Sequence, residues 1–192
     1  EVVALGTLST STTTVDGSAF DGLMSVTASA TGTSITAKTG AVGNTITGGA
    51  GKDTVTILNL GGDDADGAGG TDILNGTIKG NLTEATSNFE TVNYTVGNNV
   101  QSTVTGSNGN GVDAATTFNL LGGDSLTTFA IDFVSPASLT KIDYSGYTGK
   151  STASTFAASQ LVNTMDVVGS AGTDTVTATT ANNNAAVKSM SD

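Results

Sequence analysis

A nine-residue stretch, GGAGKDTVT at positions 48–56, is the feature that most limits what this chain can fold into. Three of its first four residues are glycine, Asp53 follows at the sixth position, and Val55 belongs to an alternation of Thr with aliphatic residues. Glycine tolerates tight turns, and a period of two is typical of a strand with one buried face. The pattern G-G-x-G-x-D-x-U-x, in which U is aliphatic, therefore predicts a tight turn followed at once by a β-strand.

Related turns recur at a constant spacing, which predicts stacked coils. Asp53 and Asp72 lie 19 apart in the sequence, and so do Asn44 and Asp63, where Asn stands at the position of the motif aspartate. Two nine-residue units with one inserted residue would form one coil of a two-sided parallel roll, and turns one coil apart would stack on the same edge. Both edges give the same coil length, so the sequence predicts parallel coils over residues 39–75.

The composition favours a thin, repetitive all-β fold over a thick core. Only 36% of the residues are hydrophobic and 5% are aromatic, while the chain has 26 glycines and one proline. Small β-branched side chains suit the narrow interior of such a fold. We expect a parallel β-roll or β-solenoid of degenerate Gly-Asp repeats, with tandem small β-sandwich-like domains as the alternative. At most, a helical turn or two is expected within residues 154–162.

Longer internal similarities indicate one repetitive region of about three degenerate units, approximately residues 20–80, 81–135 and 136–192. Similar Gly-rich turns begin at Gly48, Gly106 and Gly169, at nearly equal intervals, which is typical of a solenoid or a tandem array. The N-terminus has neither an initiator Met nor a basic segment followed by an apolar one. We therefore expect this sequence to be a fragment or a processed product of a longer chain.

The charge balance argues against several classes of function. Seventeen acidic residues stand against six lysines, and there is no Arg, His or Cys. Such acidity disfavours nucleic-acid binding, and the missing residue types rule out Ser/His/Asp and Cys-based catalysis and thiolate metal sites. No apolar run approaches the length of a membrane-spanning helix. We expect a non-enzymatic protein with no nucleic-acid partner and no membrane insertion.

Short carboxylates next to glycines point to calcium as the cofactor, and 14 of the 17 acids are Asp. Calcium takes about six to eight oxygen ligands in flexible geometry. Glycines can adopt positive φ and direct carbonyl oxygens inward, and Asp53 and Asp72 are predicted to face one ion across adjacent coils. The complete set of predicted metal-site residues is Gly48, Gly49, Gly51, Asp53, Gly61, Asp63, Asp64, Asp66, Gly67, Gly69, Asp72, Asp124, Gly172 and Asp174.

Ordinary turn chemistry is the competing explanation for the weaker motifs. Residues 106–113 have the wrong spacing for the nonapeptide, so a hairpin turn explains them equally well. Residues 169–174 keep the glycine and aspartate positions, but no second motif follows, which predicts half a site. Other aspartates lie outside such turns, and solvation or turn capping accounts for them; they are Asp16, Asp21, Asp132, Asp143 and Asp166.

The phrases TITGGAGKDTVTILNLGGDDADGAGGTDILNG, SNFETVNYT and DVVGSAGTDTVT resemble the repeat-in-toxin (RTX) proteins, and more closely the RTX-type surface-layer (S-layer) proteins of Gram-negative bacteria. The resemblance covers most of residues 20–180 and is strongest at 39–75 and 169–177. It implies calcium-loaded β-solenoids, export by type I secretion, and a homo-oligomeric lattice on the outer cell surface. Lipopolysaccharide or another surface glycan would be a further partner.

The resemblance also implies roles for individual residues. It assigns calcium binding to the motif aspartates Asp53 and Asp72, with Asp174 at the same position of the third unit. The glycines around them would contribute carbonyl oxygens or permit the turns; they are Gly48, Gly49, Gly51, Gly67, Gly69 and Gly70. The chain departs from a pure RTX array because it has few consecutive perfect nonapeptides, so the sequence does not fix the number of ions.

Three function classes follow from these features. The first is a structural, self-assembling segment of a bacterial surface layer. The second is an adhesin or a module of a giant type I-secreted surface protein, which exposed aromatic side chains would favour. The third is the RTX secretion or folding module of a secreted hydrolase. The aromatic residues that bear on the second class lie near strand repeats, where core packing is the simpler explanation; they are Phe20, Phe89, Tyr94, Tyr144 and Tyr147.

Threonine rows suggest one special case, ice binding. The pairs Thr45/Thr47 and Thr54/Thr56 would form a flat ladder if neighbouring coils continued them. The alternative is that Thr is simply a good strand residue.

Overall fold

The protein, described here from a computed structural model, consists of β-strands, and the described residues contain no helix. The structure describes residues 2–12, 14–17, 23–27, 34–37, 44–60, 63–78, 85–97, 103–106, 114–123, 128–133, 138–157, 165–179 and 187–191. The strands in these residues are β1 (Val2–Thr7), β2 (Thr14–Gly17), β3 (Leu23–Thr27), β4 (Ser34–Ala37), β5 (Thr45–Thr47), β6 (Thr54–Leu60), β7 (Asp64–Asp66), β8 (Ile73–Ile78), β9 (Ala85–Ser87), β10 (Thr91–Val96), β11 (Thr103–Gly106), β12 (Thr117–Gly122), β13 (Thr128–Phe133), β14 (Lys141–Tyr147), β15 (Ser151–Ala157), β16 (Met165–Val168), β17 (Thr173–Thr179) and β18 (Val187–Ser191).

The strands alternate between two sides of the molecule. The even-numbered strands form one nine-stranded sheet, the long sheet, in the order β18 to β2. The odd-numbered strands form a five-stranded sheet, β1 to β9, and a four-stranded sheet, β11 to β17. Every strand pair in these sheets is parallel. The predicted β-solenoid is therefore confirmed, and tandem β-sandwiches, which are built from antiparallel sheets, are not what the chain forms.

The coils become longer partway along the chain. Thr56 pairs with Asn75, 19 residues later, and Asn75 pairs with Asn93, 18 residues later. Asn93 pairs with Asn119, 26 residues later, and the step from Asn119 to Asp143 is similarly long. A longer coil encloses a wider interior, so β10 marks a change from narrow to wide coils. The intervals between the similar Gly-rich turns of the sequence therefore each span more than one coil.

The interior changes composition where the coils widen. Aliphatic side chains such as Ile46, Val55, Ile57 and Leu74 are fully buried in the narrow coils. Small aliphatic groups fill a thin interior, because packing at protein density leaves no room for rings. These side chains alternate with outward-facing polar ones along each strand, as the burial pattern of β8 shows.

Aromatic side chains fill the wider interior. Tyr94 and Phe118 meet edge to face with ring centroids 5.5 Å apart, and Phe118 meets Tyr144 in the same way at 6.4 Å. Phe129 lies 6.4 Å from Phe118 and 6.5 Å from Tyr147. Such ring pairs each contribute about 0.5–1.5 kcal/mol beyond the area they bury. The aromatic residues therefore hold the wide coils together.

An asparagine ladder runs along the outer face of the long sheet. Asn93 Nδ2 donates to Asn75 Oδ1 at 2.8 Å, and Asn119 Nδ2 donates to Asn93 Oδ1 at 2.6 Å. The three residues are in register on β8, β10 and β12. Each of these side-chain amides donates a hydrogen bond to the Asn of the preceding coil, so the ladder connects neighbouring coils outside the core.

This fold corrects one sequence expectation and decides between two explanations of the aromatic residues in favour of core packing. Residues 154–157 belong to β15, so a helical turn there is wrong, while residues 158–162 lie outside the described part of the chain. Four of the aromatic residues considered for an adhesin surface are fully buried, and Phe20 lies outside the described residues; the four are Phe89, Tyr94, Tyr144 and Tyr147.

The threonine rows end within the narrow coils. Thr47 continues a row through Thr27 and Thr7 of the preceding coils, but in the next coil it pairs with Asp66. The row through Thr56 likewise ends at Asn75 after one threonine neighbour. Since the next coil places no threonine in either row, the threonine pairs do not continue into an extended flat ladder there, which agrees with Thr serving as a strand residue.

Candidate metal centre

A column of three carboxylates lies along one edge of the narrow coils, and we call it the acid edge. It consists of Asp53, Asp72 and Glu90, the residues immediately before β6, β8 and β10. The register that pairs β6 with β8 and β8 with β10 stacks them one coil apart. Asp53 is 0% exposed and Asp72 is 1% exposed, so two of these carboxylates are removed from water.

Each carboxylate of the acid edge accepts a main-chain hydrogen bond. The N–H of Asp53 donates to Asp72 Oδ1 at 2.7 Å, and the N–H of Asp72 donates to Glu90 Oε2 at 2.6 Å. Asp53 Oδ2 accepts the N–H of Gly49, within its own turn, at 2.7 Å. Hydrogen bonds to a charged acceptor are the stronger kind, so Asp72 and Glu90 join the start of each strand to the next coil.

Within the acid edge, one oxygen of Asp72 has no compensating donor. Its Oδ2 atom is buried and has no hydrogen-bond partner. Burial raises the pKa of Asp72 above its usual value of 3.8; the N–H of Asp53 opposes that rise, and the negative charges of Asp53, Glu90 and Asp66 add to it. A buried carboxylate oxygen without a donor is costly. A cation bound at this oxygen would offset both the desolvation cost of the buried charge and its repulsion by the neighbouring carboxylates.

Gly48 and Gly67 allow the turns to stack in contact. A Cβ atom on Gly48 would overlap the carbonyl oxygen of Gly67, and one on Gly67 would overlap that of Asn88. Positive φ angles occur instead at Ala68 (62°) and Gly70 (139°). The expectation that the motif glycines serve positive φ is therefore wrong for Gly48 and Gly67, where the reason is the close approach of a neighbouring backbone.

Two turn glycines are hydrogen-bonded to each other. The N–H of Gly69 donates to the carbonyl oxygen of Gly49 at 2.9 Å. This bond continues the stacking of the two six-residue turns, 48–53 and 67–72, beyond the strands. Gly51 lies on the same stack, because a Cβ atom on Gly70 would overlap its carbonyl oxygen. The carbonyl oxygens of the first turn thus face the second turn.

The opposite edge of the same coils carries Asn44 and Asp63, the residues immediately before β5 and β7, and we call it the amide edge. Both side chains are fully buried. Asp63 Oδ1 accepts hydrogen bonds from the main-chain N–H of Asn44 at 2.9 Å and from its Nδ2 at 3.0 Å. The predicted pairing of residues one coil apart therefore exists at both edges, with different side-chain chemistry.

Asp64 and Asp66 are not part of either column of buried side chains. They face outward from β7, and Asp64 is exposed. Asp66 Oδ1 accepts the N–H of Ala68 at 2.9 Å and the Nδ2 of Asn88 at 2.7 Å. These bonds place Asp66 as a turn-capping residue rather than as part of the acid column. Its charge still contributes to the negative potential at Asp72.

The C-terminal motif repeats the local geometry of the first one. The N–H of Ser170 donates to Asp174 Oδ2 at 2.7 Å, which matches the bond from Gly49 to Asp53. Asp174 Oδ1 also accepts the hydroxyls of Ser170 at 2.8 Å and Thr152 at 2.6 Å. Three donors therefore satisfy this carboxylate.

The C-terminal motif also occupies a different edge from the first. Residues 169–172 lead from the long sheet to β17, whereas the turn 48–53 leads from β5 into the long sheet. Gly172 is held against the main chain, because a Cβ atom there would lie 2.6 Å from the carbonyl oxygen of Lys150. The structure therefore does not bring Asp174 to the acid edge.

Sequence reasoning missed Glu90. It is the last residue of a three-residue turn, 88–90, that has no glycine, whereas the preceding turns of the acid edge have six residues. The signal that could have found it is its position 18 residues after Asp72, one coil further on. Two predicted site residues, Gly61 and Asp124, lie outside the described residues.

The acid edge ends at Glu90. In the following coils, threonine hydroxyls make the hydrogen bonds along this edge. Thr116 Oγ1 donates to the carbonyl oxygen of Glu90 at 3.0 Å, and Thr140 Oγ1 donates to that of Thr116 at 3.1 Å. Neutral donors thus hold the same edge together in the wide coils. The charged part of the column is confined to the narrow coils.

The donor set fits a hard cation only if main-chain oxygens take part. In the described part of the chain, no three carboxylates are grouped closely enough to hold a metal ion by themselves. Calcium accepts carbonyl as well as carboxylate oxygens, and the stacked turns supply carbonyls near the buried oxygen of Asp72. Asp72, with Asp53 and Glu90 in the neighbouring coils, is therefore the carboxylate that a cation would contact, together with main-chain oxygens.

Comparison of the chain with protein-family models, with curated proteins and with solved structures gives no match. Within the described residues there is also no helical segment with the length and apolarity needed to cross a bilayer. Any statement about function therefore rests on the residues and their geometry.

Proposed function

We propose that this chain is a calcium-stabilised structural segment of a bacterial surface layer that assembles with copies of itself. The observation that carries the proposal is the acid edge, and in particular the buried oxygen of Asp72 that has no hydrogen-bond partner. The carboxylates of the acid edge accept hydrogen bonds from the main chain where strands begin, so their role is structural. Binding of a cation would therefore stabilise the solenoid itself.

Calcium suits this site better than other common metals. The chain has no His and no Cys, so the ligands preferred by zinc and copper are missing. Magnesium demands nearly ideal octahedral geometry and keeps several waters, which conflicts with the burial of Asp53 and Asp72. Calcium tolerates irregular sets of carboxylate and carbonyl oxygens.

A structural role fits the acid edge better than a catalytic one. General acid–base catalysis needs a titratable group that can reach a substrate, whereas Asp53 and Asp72 are buried and bonded to main-chain N–H groups. With four of the five aromatic residues buried, the sequence argument for an adhesin loses its main support.

The place of action and the partners rest on the resemblance to RTX-type surface-layer proteins. The proposal includes export by type I secretion, location on the outer cell surface, a homo-oligomeric lattice, and lipopolysaccharide or another surface glycan as a contact. The extended parallel fold supports it, because a solenoid presents regular faces to its neighbours.

A calcium titration of thermal unfolding tests the proposal. A ligand that binds only the folded chain stabilises it by about 2.7 kcal/mol at a hundredfold excess over Kd. We expect Tm to rise with calcium and to fall on chelation, and lattices seen by electron microscopy to disperse with the metal. Asp53→Asn should raise the calcium concentration needed, while Asp16→Asn, at an exposed position on β2, should not. An unchanged melting curve in calcium would contradict the proposal.

A further inference from the structure

Two of the three motif turns are closed by a hydrogen bond from the turn to its own aspartate. The N–H of Gly49 donates to Asp53 Oδ2 at 2.7 Å, and the N–H of Ser170 donates to Asp174 Oδ2 at 2.7 Å. In both turns the donor lies four residues before the aspartate. Because this carboxylate oxygen already has a donor, neither turn needs a ligand there. The three motif turns are residues 48–53, 67–72 and 169–174.

The turn 67–72 does not contain this bond. Its equivalent donor is the N–H of Ala68, four residues before Asp72, but that N–H donates to Asp66 Oδ1 at 2.9 Å. Ala68 has a φ of 62°, a left-handed conformation that is unfavourable for alanine, whereas Gly49 has no positive φ. The N–H of this turn is therefore used by Asp66, and Asp72 Oδ2 is buried without a hydrogen-bond partner.

Asp66 is the residue that distinguishes this turn from the other two. It stands immediately before the first glycine of the turn, where the other turns have Thr47 and Val168. An aspartate side chain readily accepts the N–H two residues further on, whereas valine has no acceptor and threonine accepts more weakly. Asp66 Oδ1 also accepts Asn88 Nδ2 at 2.7 Å, which holds the carboxylate beside the turn. One side chain thus keeps Ala68 from closing the turn.

The stacked glycines leave a space next to the open oxygen of Asp72. A Cβ atom on Gly67 would lie 3.0 Å from Asp72 Oδ2 and would overlap the carbonyl oxygen of Asn88. A Cβ atom on Gly48 would likewise lie 3.0 Å from Asp53 Oδ2 and would overlap the carbonyl oxygen of Gly67. Both turns therefore bring a carboxylate oxygen and a carbonyl oxygen of the next coil to one place. Of the two, only the second turn leaves its carboxylate oxygen without a donor.

We propose that Asp66 makes the turn 67–72 the motif turn that receives a divalent cation, because it takes the N–H of Ala68 and so leaves Asp72 Oδ2 open. The other two motif turns are closed by their own main chain. Asp66 acts through Ala68 as a positioning residue and not as a ligand. This inference rests on the proposed function for the identity of the cation, which is calcium. It adds which motif turn binds the ion and which residue determines that choice.

Two substitutions at residue 66 test this role, with calcium alone as the probe and calorimetric titration of the whole chain as the measurement. Asp66→Asn removes the charge but keeps an oxygen that can accept the N–H of Ala68. Asp66→Ala removes both, so that Ala68 can close onto Asp72. We expect Asp66→Ala to bind calcium about tenfold more weakly than Asp66→Asn, because the ion must then displace a hydrogen bond. Asp64→Asn, which removes an exposed charge from the same strand, is the control and should bind like Asp66→Asn.

Thermal melting in chelator separates a positioning role from a merely structural one. If Asp66 only stabilised the turn, Asp66→Ala would melt below Asp66→Asn in chelator and in calcium alike. The proposal instead expects the two variants to melt together in chelator, because the bond from Ala68 to Asp72 replaces the bond that is lost. In calcium, Asp66→Ala should melt below Asp66→Asn. A lower Tm of Asp66→Ala in chelator would overturn the inference.

Amide chemical shifts measured by NMR on the wild type locate the bound ion. We expect the changes on adding calcium to be largest in residues 67–72 and small in residues 169–174, where the donor of Ser170 already closes the turn. Changes of equal size in these two turns would contradict the inference.

The outcomes separate this inference from the proposed function. If calcium changes neither the melting nor the amide shifts of the wild type, the proposed function fails and the inference fails with it. If calcium stabilises the wild type but binds Asp66→Ala as tightly as Asp66→Asn, only the inference fails. If Asp66→Ala does not fold, Asp66→Thr, which introduces the residue found at the equivalent position 47, provides the same comparison.

Discussion

The main-chain N–H of Asp53 donates to Oδ1 of Asp72 across 2.7 Å, and the two residues lie 19 apart in sequence. The two oxygens of Asp72 have opposite effects on stability. Its Oδ1 atom accepts a donor from the coil before it, while its Oδ2 atom is buried without one. The carboxylate is thus a structural acceptor at one oxygen and a source of instability at the other.

Substitutions at Asp72 should separate the effect of its hydrogen bond to Asp53 from the effect of its buried charge. In chelator, we expect Asp72→Ala to lower the free energy of unfolding by about 1–3 kcal/mol, because the buried N–H of Asp53 loses its acceptor. Asp72→Asn keeps an oxygen at that place and removes the charge, so it should cost less than Asp72→Ala. Urea denaturation of the two variants and the wild type measures the difference. Equal losses would show that the bond to Asp53 contributes little.

The acid edge should also make stability depend on pH. Burial raises the pKa of Asp72, helped by Asp53, Glu90 and Asp66, while the N–H of Asp53 works against it. The folded chain therefore binds this proton more tightly than the unfolded chain, whose Asp has the usual pKa of 3.8. Stability from this group is complete below that value and is lost as pH rises through the raised pKa.

The measurement is urea denaturation in chelator across that pH range, for the wild type and for Asp72→Asn. We expect the wild type to lose stability relative to Asp72→Asn as pH rises above 3.8. Subtracting the variant removes the contributions of other groups, including Asp143, whose pKa is lowered. Saturating calcium should reverse the trend, because a cation favours the ionised form and so lowers the pKa of the folded state. A difference that is flat in chelator, or that has the opposite sign, would contradict this prediction.

Much of the narrow-coil architecture could be predicted from the sequence. The coincidence of Asn44 with Asp63 and of Asp53 with Asp72 at the same spacing fixes a coil length, and the hydrogen bonds confirm both pairs. Alternation of Thr with Val or Ile predicts which residues point inward, because successive side chains of a strand face opposite sides.

Other features depended on information that the motif does not carry. The motif requires glycine-rich turns, and the turn that contains Glu90 has no glycine, so the motif does not predict the third carboxylate. The change to wide coils after β10 comes from longer connections, and only the register shows which residues they bring together. In the sequence, Asn44 is only a motif position that lacks the aspartate, whereas in the structure its Nδ2 donates to Asp63 Oδ1.

The asparagine ladder should contribute to stability independently of any cation. Asn93 accepts from Asn119 and donates to Asn75, so Asn93→Ala removes both bonds. At about 0.5–1.5 kcal/mol for each bond, we expect a loss of about 1–3 kcal/mol. Thr95→Ala, at an outward position on the same strand, is the control. The loss should be the same in calcium and in chelator, and a loss that appears in only one of them would contradict the prediction.

Gly67 should tolerate substitution far less well than Gly69, although both belong to the same turn. A Cβ atom on Gly67 would overlap the carbonyl oxygen of Asn88, a main-chain atom that can move only by shifting a coil. A Cβ atom on Gly69 would have its nearest neighbour, the carbonyl oxygen of Gly49, at 3.9 Å, which is an ordinary contact. Forcing an extra methyl group into a tightly packed place typically costs about 1–3 kcal/mol. We therefore expect Gly67→Ala to lower the urea midpoint clearly and Gly69→Ala to leave it nearly unchanged, and equal effects would mean that the turns are not stacked in contact.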